Sequence, residues 1–507
     1  MNRRYHFVHI LNILCLVSLC LTACLPLSAP ATSALLVSST PTPAPSPQAT
    51  NPDSQSTKYP VQTPFPERPF YQPGELVDYI AQPGDTVPVM AIHFNTSVTE
   101  ILAANPIIPK DATTMPPGMP MKIPIYYLPL WGIPYQIIPD DLYINGPAQV
   151  NFNTPAFVNS QSGWLINYRG AAGGELHSGA EIVDLVARNF SVSPRLLLAL
   201  LEYQHSALSQ LTQPSEDDPY ILGYADPLHG GLNLQLVWAA NTLNNGYYAW
   251  RSGDLRTITR QDGSIEHPDP WQNAATVALQ YYFSILFPRD DYLRAIGPDG
   301  FAKTYNELFG DVWATVQPHI PGSLVQPEFT LPFEIGKSWA LTGGPHTGWG
   351  EGAPWAALDF APPSVVGGCV SSDEWVTAIA SGLVVRSEPG IVVLDLDSDG
   401  DERTGWMIFY LHIGTPDRVQ VGTKLAVGNH IGHPSCEGGS STGTHVHIAR
   451  KYNGEWILAA GTLAFNLEGW LAYNGSEAYL GGLKKYGRTV TACVCSNANS
   501  QVKSGER

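Results

Sequence analysis

Charge is scarce in this 507-residue chain: only 14% of it is Asp, Glu, Lys or Arg, and 27 basic residues face 44 acidic ones for a net charge of −17. Nucleic-acid binding rests on clustered lysine and arginine, so this balance argues against it. Beyond the start of the chain, no apolar run reaches the roughly 20 residues that a membrane-spanning helix needs. Cysteine is sparse, with seven in all. Neither a phosphate-cradling loop nor a Ser–His–Asp or nucleophilic Cys pattern offers a rival chemistry. What is present is ample core material, 44% apolar and 10% aromatic, in a length that suits about three domains. The expected class is a multidomain α+β protein: a small βααβ unit, a mostly α-helical middle domain and a C-terminal antiparallel β-sheet domain.

Residues 1–23 read as a secretory signal. Arg3 and Arg4 precede an apolar stretch from Val8 to Leu21, and such a segment is excluded from fold reasoning. It ends Leu21-Thr22-Ala23-Cys24, which resembles the lipobox of bacterial lipoproteins. The resemblance implies cleavage before Cys24, lipidation of that cysteine and an extracytoplasmic, membrane-anchored location. The alternative is an ordinary signal peptide and a secreted protein. Residues 24–74 are rich in Pro, Thr, Ser and Ala, a composition that stays extended and serves as a tether.

Residues 75–126 suggest strand, helix, helix, strand. Thr86 and the capping box Ser97-Val98-Thr99-Glu100 start the helices, and Asn105-Pro106 ends the second. With QPGDT and AANP at these places, the unit resembles a LysM domain. The resemblance implies binding to N-acetylglucosamine-containing glycan in a groove beside the loops.

Residues 135–328 read as mostly helical. Ser178 to Glu181 form another capping box, and Ser193-Pro194 opens a nearly all-apolar helix from Leu196 to Leu201. The phrase VSPRLLLALLEYQHSALS distantly resembles the helix bearing the catalytic glutamate of lytic transglycosylases. That family has Glu-Ser where this chain has Gln204-His205-Ser206, and Glu202 sits earlier. A glycosidase needs its acid at a defined place, so the domain is expected to be non-catalytic.

From about Leu331 to residue 472, short β-rich runs alternate with glycine turns, the pattern of an antiparallel β domain. Six of the fourteen histidines lie between 346 and 447. In Thr444-His445-Val446-His447, a strand points both imidazoles to one face, an arrangement able to address one zinc ion. Asp359 follows an apolar strand, His346 sits in a Gly-rich loop upstream, and His412 closes the strand that begins at Trp406.

Taken in this order, these residues resemble the lysostaphin/LytM-type zinc endopeptidases of peptidoglycan. The resemblance implies one Zn2+ on His346, Asp359 and His447, with His412 and His445 flanking water and substrate, and stem or cross-bridge peptides as substrate. Twelve residues, Thr347 to Leu358, separate His346 from Asp359, an insertion relative to the family pattern. The rival class is a non-enzymatic regulator of other wall hydrolases, or a wall-binding lipoprotein.

Several features stand outside that pattern. His430 and His433 match no family position. Cys369 and Cys436 are expected to pair, since both lie in Gly/Ser-rich loops of one exported domain. Cys493 and Cys495 lie in residues 473–507, read as a tail, and could pair with each other, with another chain or with nothing. Asp395 to Asp401 begins like a calcium loop but lacks the closing glutamate and flanking helices, so an acidic turn is expected.

Overall fold

The computed structural model describes residues 63–213, 215, 219–495 and 497–506. Cys24, the signal segment and most of the tether lie outside them. Among the described residues no helix is long and apolar enough to cross a membrane.

The first unit is the expected βααβ arrangement. Strands Glu75–Ile80 and Pro120–Ile125 pair antiparallel around helices Val87–His93 and Val98–Ala104. The Ser97–Glu100 capping box is present. Thr86 sits at the other N-cap, but its side chain makes no capping bond. Val77, Tyr79, Met90, Phe94, Ile101 and Ile123 close a small core. A core of thirteen residues in so short a unit is marginal alone, and it leans on its neighbour: Phe94 meets Trp271 edge-on at 4.9 Å, and His93 stacks on Trp250 at 3.5 Å.

The middle region carries helices Gly179–Phe190, Pro194–His205, Leu232–Ser252, Ala274–Leu286, Arg289–Ile296 and Phe301–Phe309. Leu196 to Leu201 are fully buried, as an all-apolar helix requires.

The third region is a nine-stranded sheet. Its strands alternate faces with period two. Val392, Ile408, Tyr410 and Ile448 enter one core, while Val393, Phe409, Leu411 and Ala449 enter the core shared with the helices. Both faces are covered, which is why every residue from Trp406 to Ile413 is buried.

Two boundaries differ from the expectation. Residues 473–507 are not a tail. Strands Trp470–Asn474, Gly481–Lys485 and Arg488–Thr491 form hairpins, and Gln501–Lys503 pairs with Ser338–Ala340 as an edge of the large sheet. Leu483, Val490 and Val502 are buried there, so this segment has its own apolar anchors. The tether, expected to run to residue 74, is held from Thr63, whose N–H donates to Asp299 (2.8 Å). Arg68 then pairs with the buried Asp269, a contact that Pro/Ser/Thr composition does not foretell.

A buried ionic cluster joins the regions. Arg251 reaches Asp140 at 3.0 Å, Glu455 at 3.2 Å and the carbonyl of Pro83. Glu455 also accepts from Tyr247 (2.8 Å) and lies 2.6 Å from His319 Nε2.

Candidate metal centre

Three adjacent strands build the site: Ser338–Thr347, Trp355–Ala361 and Val446–Tyr452. His447 lies directly opposite Asp359 in register, and His346 is brought alongside through bulges in the first pair. The result is one buried cluster. Asp359 Oδ1 is 3.2 Å from both His346 Nε2 and His447 Nδ1, and those two nitrogens are 3.0 Å apart.

Backbone carbonyls fix which nitrogen faces inward, because a carbonyl only accepts. His346 Nδ1–H donates to Gly344 O (2.8 Å), and His447 Nε2–H donates to Gly348 O (3.2 Å). The inner nitrogens are therefore lone-pair donors in the neutral rings. Asp359 Oδ1 is buried and accepts no hydrogen bond. Burial opposes charge on His346, but Asp359 outweighs it and raises that pKa. Burial lowers His447, while Asp359 is driven well below the carboxylate range, the histidines overcoming its own burial. A buried carboxylate with two converging imidazole nitrogens is a set that fits a divalent cation, and zinc takes such ligands. Asp395, Asp397 and Asp399 also come within reach of one ion. Their turn is already closed by Asp395, which accepts from the N–H groups of Asp397, Ser398 and Gly400.

His412 and His445 complete the group. His412 has φ +65°, strained for a non-glycine residue in a strand end. Its Nδ1–H donates to Glu437 O (2.8 Å), and burial, then the neighbouring His445, push its pKa down to about 4. His445 Nδ1–H donates to Gly443 O (2.8 Å), leaving Nε2 3.6 Å from Asp359. The two rings are 4.5 Å apart. His430 and His433 lie elsewhere, the first stacked on Trp375 and the second tilted against it.

Cys369 and Cys436 form a disulfide with a Cα separation of 5.8 Å. It ties together the loops beside the site, where Thr444 N–H donates to Gly368 O (3.1 Å). Cys493 and Cys495 are bonded to each other.

Tyr479 had no signal in the sequence. Its ring stacks on His346 at 4.1 Å, and its carbonyl accepts from Gly344 N–H (2.8 Å). The hint available was the pair of turns at Asn474-Gly475 and Tyr486-Gly487, which mark hairpins where a tail was expected.

The chain is similar to several known proteins. Residues 136–322 match the family described as LasA, N-terminal domain. Protease LasA of Pseudomonas aeruginosa is 24% identical over 343 residues, covering 64% of this chain and 75% of the relative. The beta-lytic metalloendopeptidase of Lysobacter enzymogenes is 31% identical over 144 residues, 28% of this chain and 76% of that enzyme. Among solved structures, the M23 metalloprotease pseudoalterin is similar at 24% identity over 33% of this chain and 96% of its own, with a TM-score of 0.28. The chain belongs to the beta-lytic metalloendopeptidase family. It is a peptidase.

Proposed function

We propose that the protein is an exported, zinc-dependent endopeptidase that cuts peptide cross-links of bacterial peptidoglycan, with His346, Asp359 and His447 as the metal ligands. The observation that carries the ligand assignment is the unpartnered Asp359 Oδ1, buried between two inward-turned imidazole nitrogens. A zinc ion held there supplies Lewis acidity toward the scissile carbonyl and toward water.

The chain's own residues handle the proton. His412 and His445 both have Nδ1 committed to a carbonyl, so only Nε2 is free for chemistry. His412, kept unprotonated by burial, offers an acceptor for the proton of the attacking water. His445 Nε2, 3.6 Å from Asp359, is the second group available beside the carbonyl as it is attacked. The accepted proton then passes to the leaving amine.

The wall as target is supported by the QPGDT and AANP unit, read as a LysM glycan binder. Beside it lies a cavity of about 740 Å³, lined among others by Asp78, Tyr79, Gln82, Tyr135, Trp271 and Trp313, and aromatic faces among polar groups suit sugar rings. Leu21 to Cys24 supports a lipid anchor, with secretion as the alternative. Export also agrees with the two disulfides.

The deciding experiment is metal analysis of the full chain together with digestion of purified peptidoglycan, with and without chelator. One zinc per chain, and new amine termini that vanish on chelation and return with zinc, are expected. Digestion that persists after complete metal removal would refute the proposal.

A further inference from the structure

The two strands that carry His346 and Asp359 are joined by a seven-residue loop, Gly348 to Pro354, which lies within the insertion noted in the sequence. Its first residue matters to the site, because the Gly348 carbonyl receives His447 Nε2–H at 3.2 Å. A loop with glycine at 348, 350 and 352 is costly to order on its own. Here its order comes from another region of the chain.

We infer that Asn241 and Asn245 are positioning residues for the metal centre, acting through this loop. They stand four apart on the Leu232–Ser252 helix, hence on one face. Asn241 Oδ1 accepts from Glu351 N–H and Asn245 Oδ1 from Ala353 N–H, both at 2.7 Å. The fit is close: a Cβ on Gly350 would meet Asn241 Oδ1 and Phe190, and one on Gly352 would overlap Asn245 Oδ1. Both glycines also have positive φ, +80° and +85°, so the loop backbone is shaped to approach the helix. At its base, Gly348 N–H donates to Pro354 O (2.9 Å), and Trp349 sets its ring edge-on to Phe409 at 5.8 Å. The next turn of the helix holds the far side, Tyr248 OH accepting from Trp456 N–H at 3.0 Å. A Cβ on Gly348 would press against the Trp456 ring.

The chain of contacts thus runs from the helix amides to the loop, from the loop to the Gly348 carbonyl, and from that carbonyl to the orientation of His447. Partners that orient a metal-bound imidazole typically change metal affinity about 10- to 100-fold when removed. The helical region is then a template for the peptidase site as well as a cover for its sheet. This inference rests on the reading of His346, Asp359 and His447 as ligands.

The test uses the full chain with Asn241→Ala and Asn245→Ala combined, and the pair Asn241→Asp and Asn245→Asp, which keeps an acceptor oxygen at each place. Hydrogen exchange of residues 348–354 and titration with Co2+, read by its visible absorption, are measured on both. In the alanine pair the loop loses protection and Co2+ affinity falls by about tenfold, while exchange in the Pro194–His205 helix is unchanged. The aspartate pair restores both. Unchanged loop protection and unchanged Co2+ affinity in the alanine pair would overturn the inference. If the unaltered chain takes up no Co2+, the ligand reading fails, and the exchange measurement alone still decides whether the helix holds the loop.

Discussion

His346 Nε2 and His447 Nδ1 meet 3.0 Å apart although their residues are 101 positions distant in the chain. The two rings use opposite nitrogens because each is anchored by a different glycine carbonyl, at Gly344 and Gly348. Every histidine of the site repeats the device, so four imidazoles are held by backbone and none by a side-chain carboxylate outside the cluster.

Under the proposed function, that arrangement separates ligand from proton carrier. His447→Ala is expected to lose zinc, because two remaining protein ligands do not hold a catalytic site. His412→Ala and His445→Ala are expected to keep zinc and lose about 10²- to 10⁴-fold in kcat. Plasma mass spectrometry of the three purified variants, beside their rates on a cross-link peptide, checks the split. Full zinc occupancy in His447→Ala would show the ligand set to be wrong.

Much of this site was legible before the fold. An H-x-H pair in a strand and an aspartate closing an apolar run are local patterns, and local patterns survive in sequence. The carbonyl anchors did not show, since every residue has one and only the register selects Gly344, Gly348, Gly443 and Glu437. Tyr479 and Asn241 were hidden for a related reason: they reach the site from a turn and a helix whose docking no local signal encodes. The Gln501–Lys503 strand is three residues long with both ends exposed, and only its pairing with Ser338–Ala340 makes it a strand at all. The helices of the middle region, by contrast, announced themselves through a capping box, a Ser-Pro start and an apolar run.

The disulfide gives a second expectation. Cys369 and Cys436 close a span of 67 residues, for which the chain-entropy account gives about 4 kcal/mol. Replacing both by serine should lower the melting temperature of the oxidised protein. Activity should fall as well, since Glu437, which anchors His412, adjoins Cys436. Calorimetry showing equal melting temperatures would contradict this.

Acid sensitivity follows from Glu455. Burial works against its charge, but Arg251 and His319 outweigh burial and hold its pKa below the ordinary 4.5. A carboxyl depressed in the folded state stabilises the protein above its unfolded pKa, and that stability is lost as pH falls through the folded value. Thermal stability should therefore decline below about pH 4.5. Glu455→Gln should be less stable near neutrality, by about 3–5 kcal/mol for a broken buried pair, and should show a flatter acid limb. A variant whose acid limb runs parallel to the parent's would rule out this assignment.

The helical region is expected not to cleave glycan strands. The Glu202 carboxylate accepts from Leu208 N–H at 2.7 Å, and Gln204 is held between Tyr282 OH (2.7 Å) and Leu222 O (2.9 Å). Glu202 thus closes the end of its own helix, and Gln204 ties that helix to the Ala274–Leu286 helix and to Leu222. The full chain digesting peptidoglycan should release no anhydromuropeptides, and Glu202→Gln should leave the product spectrum unchanged. Anhydro products that disappear in that variant would reveal a second hydrolase in the same chain.

Arg251 touches the βααβ unit through Pro83, the helical region through Asp140 and the sheet through Glu455. Pulling the sheet away would part Glu455 from Arg251, and pulling the βααβ unit away would leave the guanidinium without its Pro83 carbonyl. Partial detachment is therefore the least favourable state, less favourable than either full assembly or full dispersal. A proteolytic nick in a loop between the regions would leave the pieces bound together, and the molecule would migrate as one body until denaturant dissolved the whole.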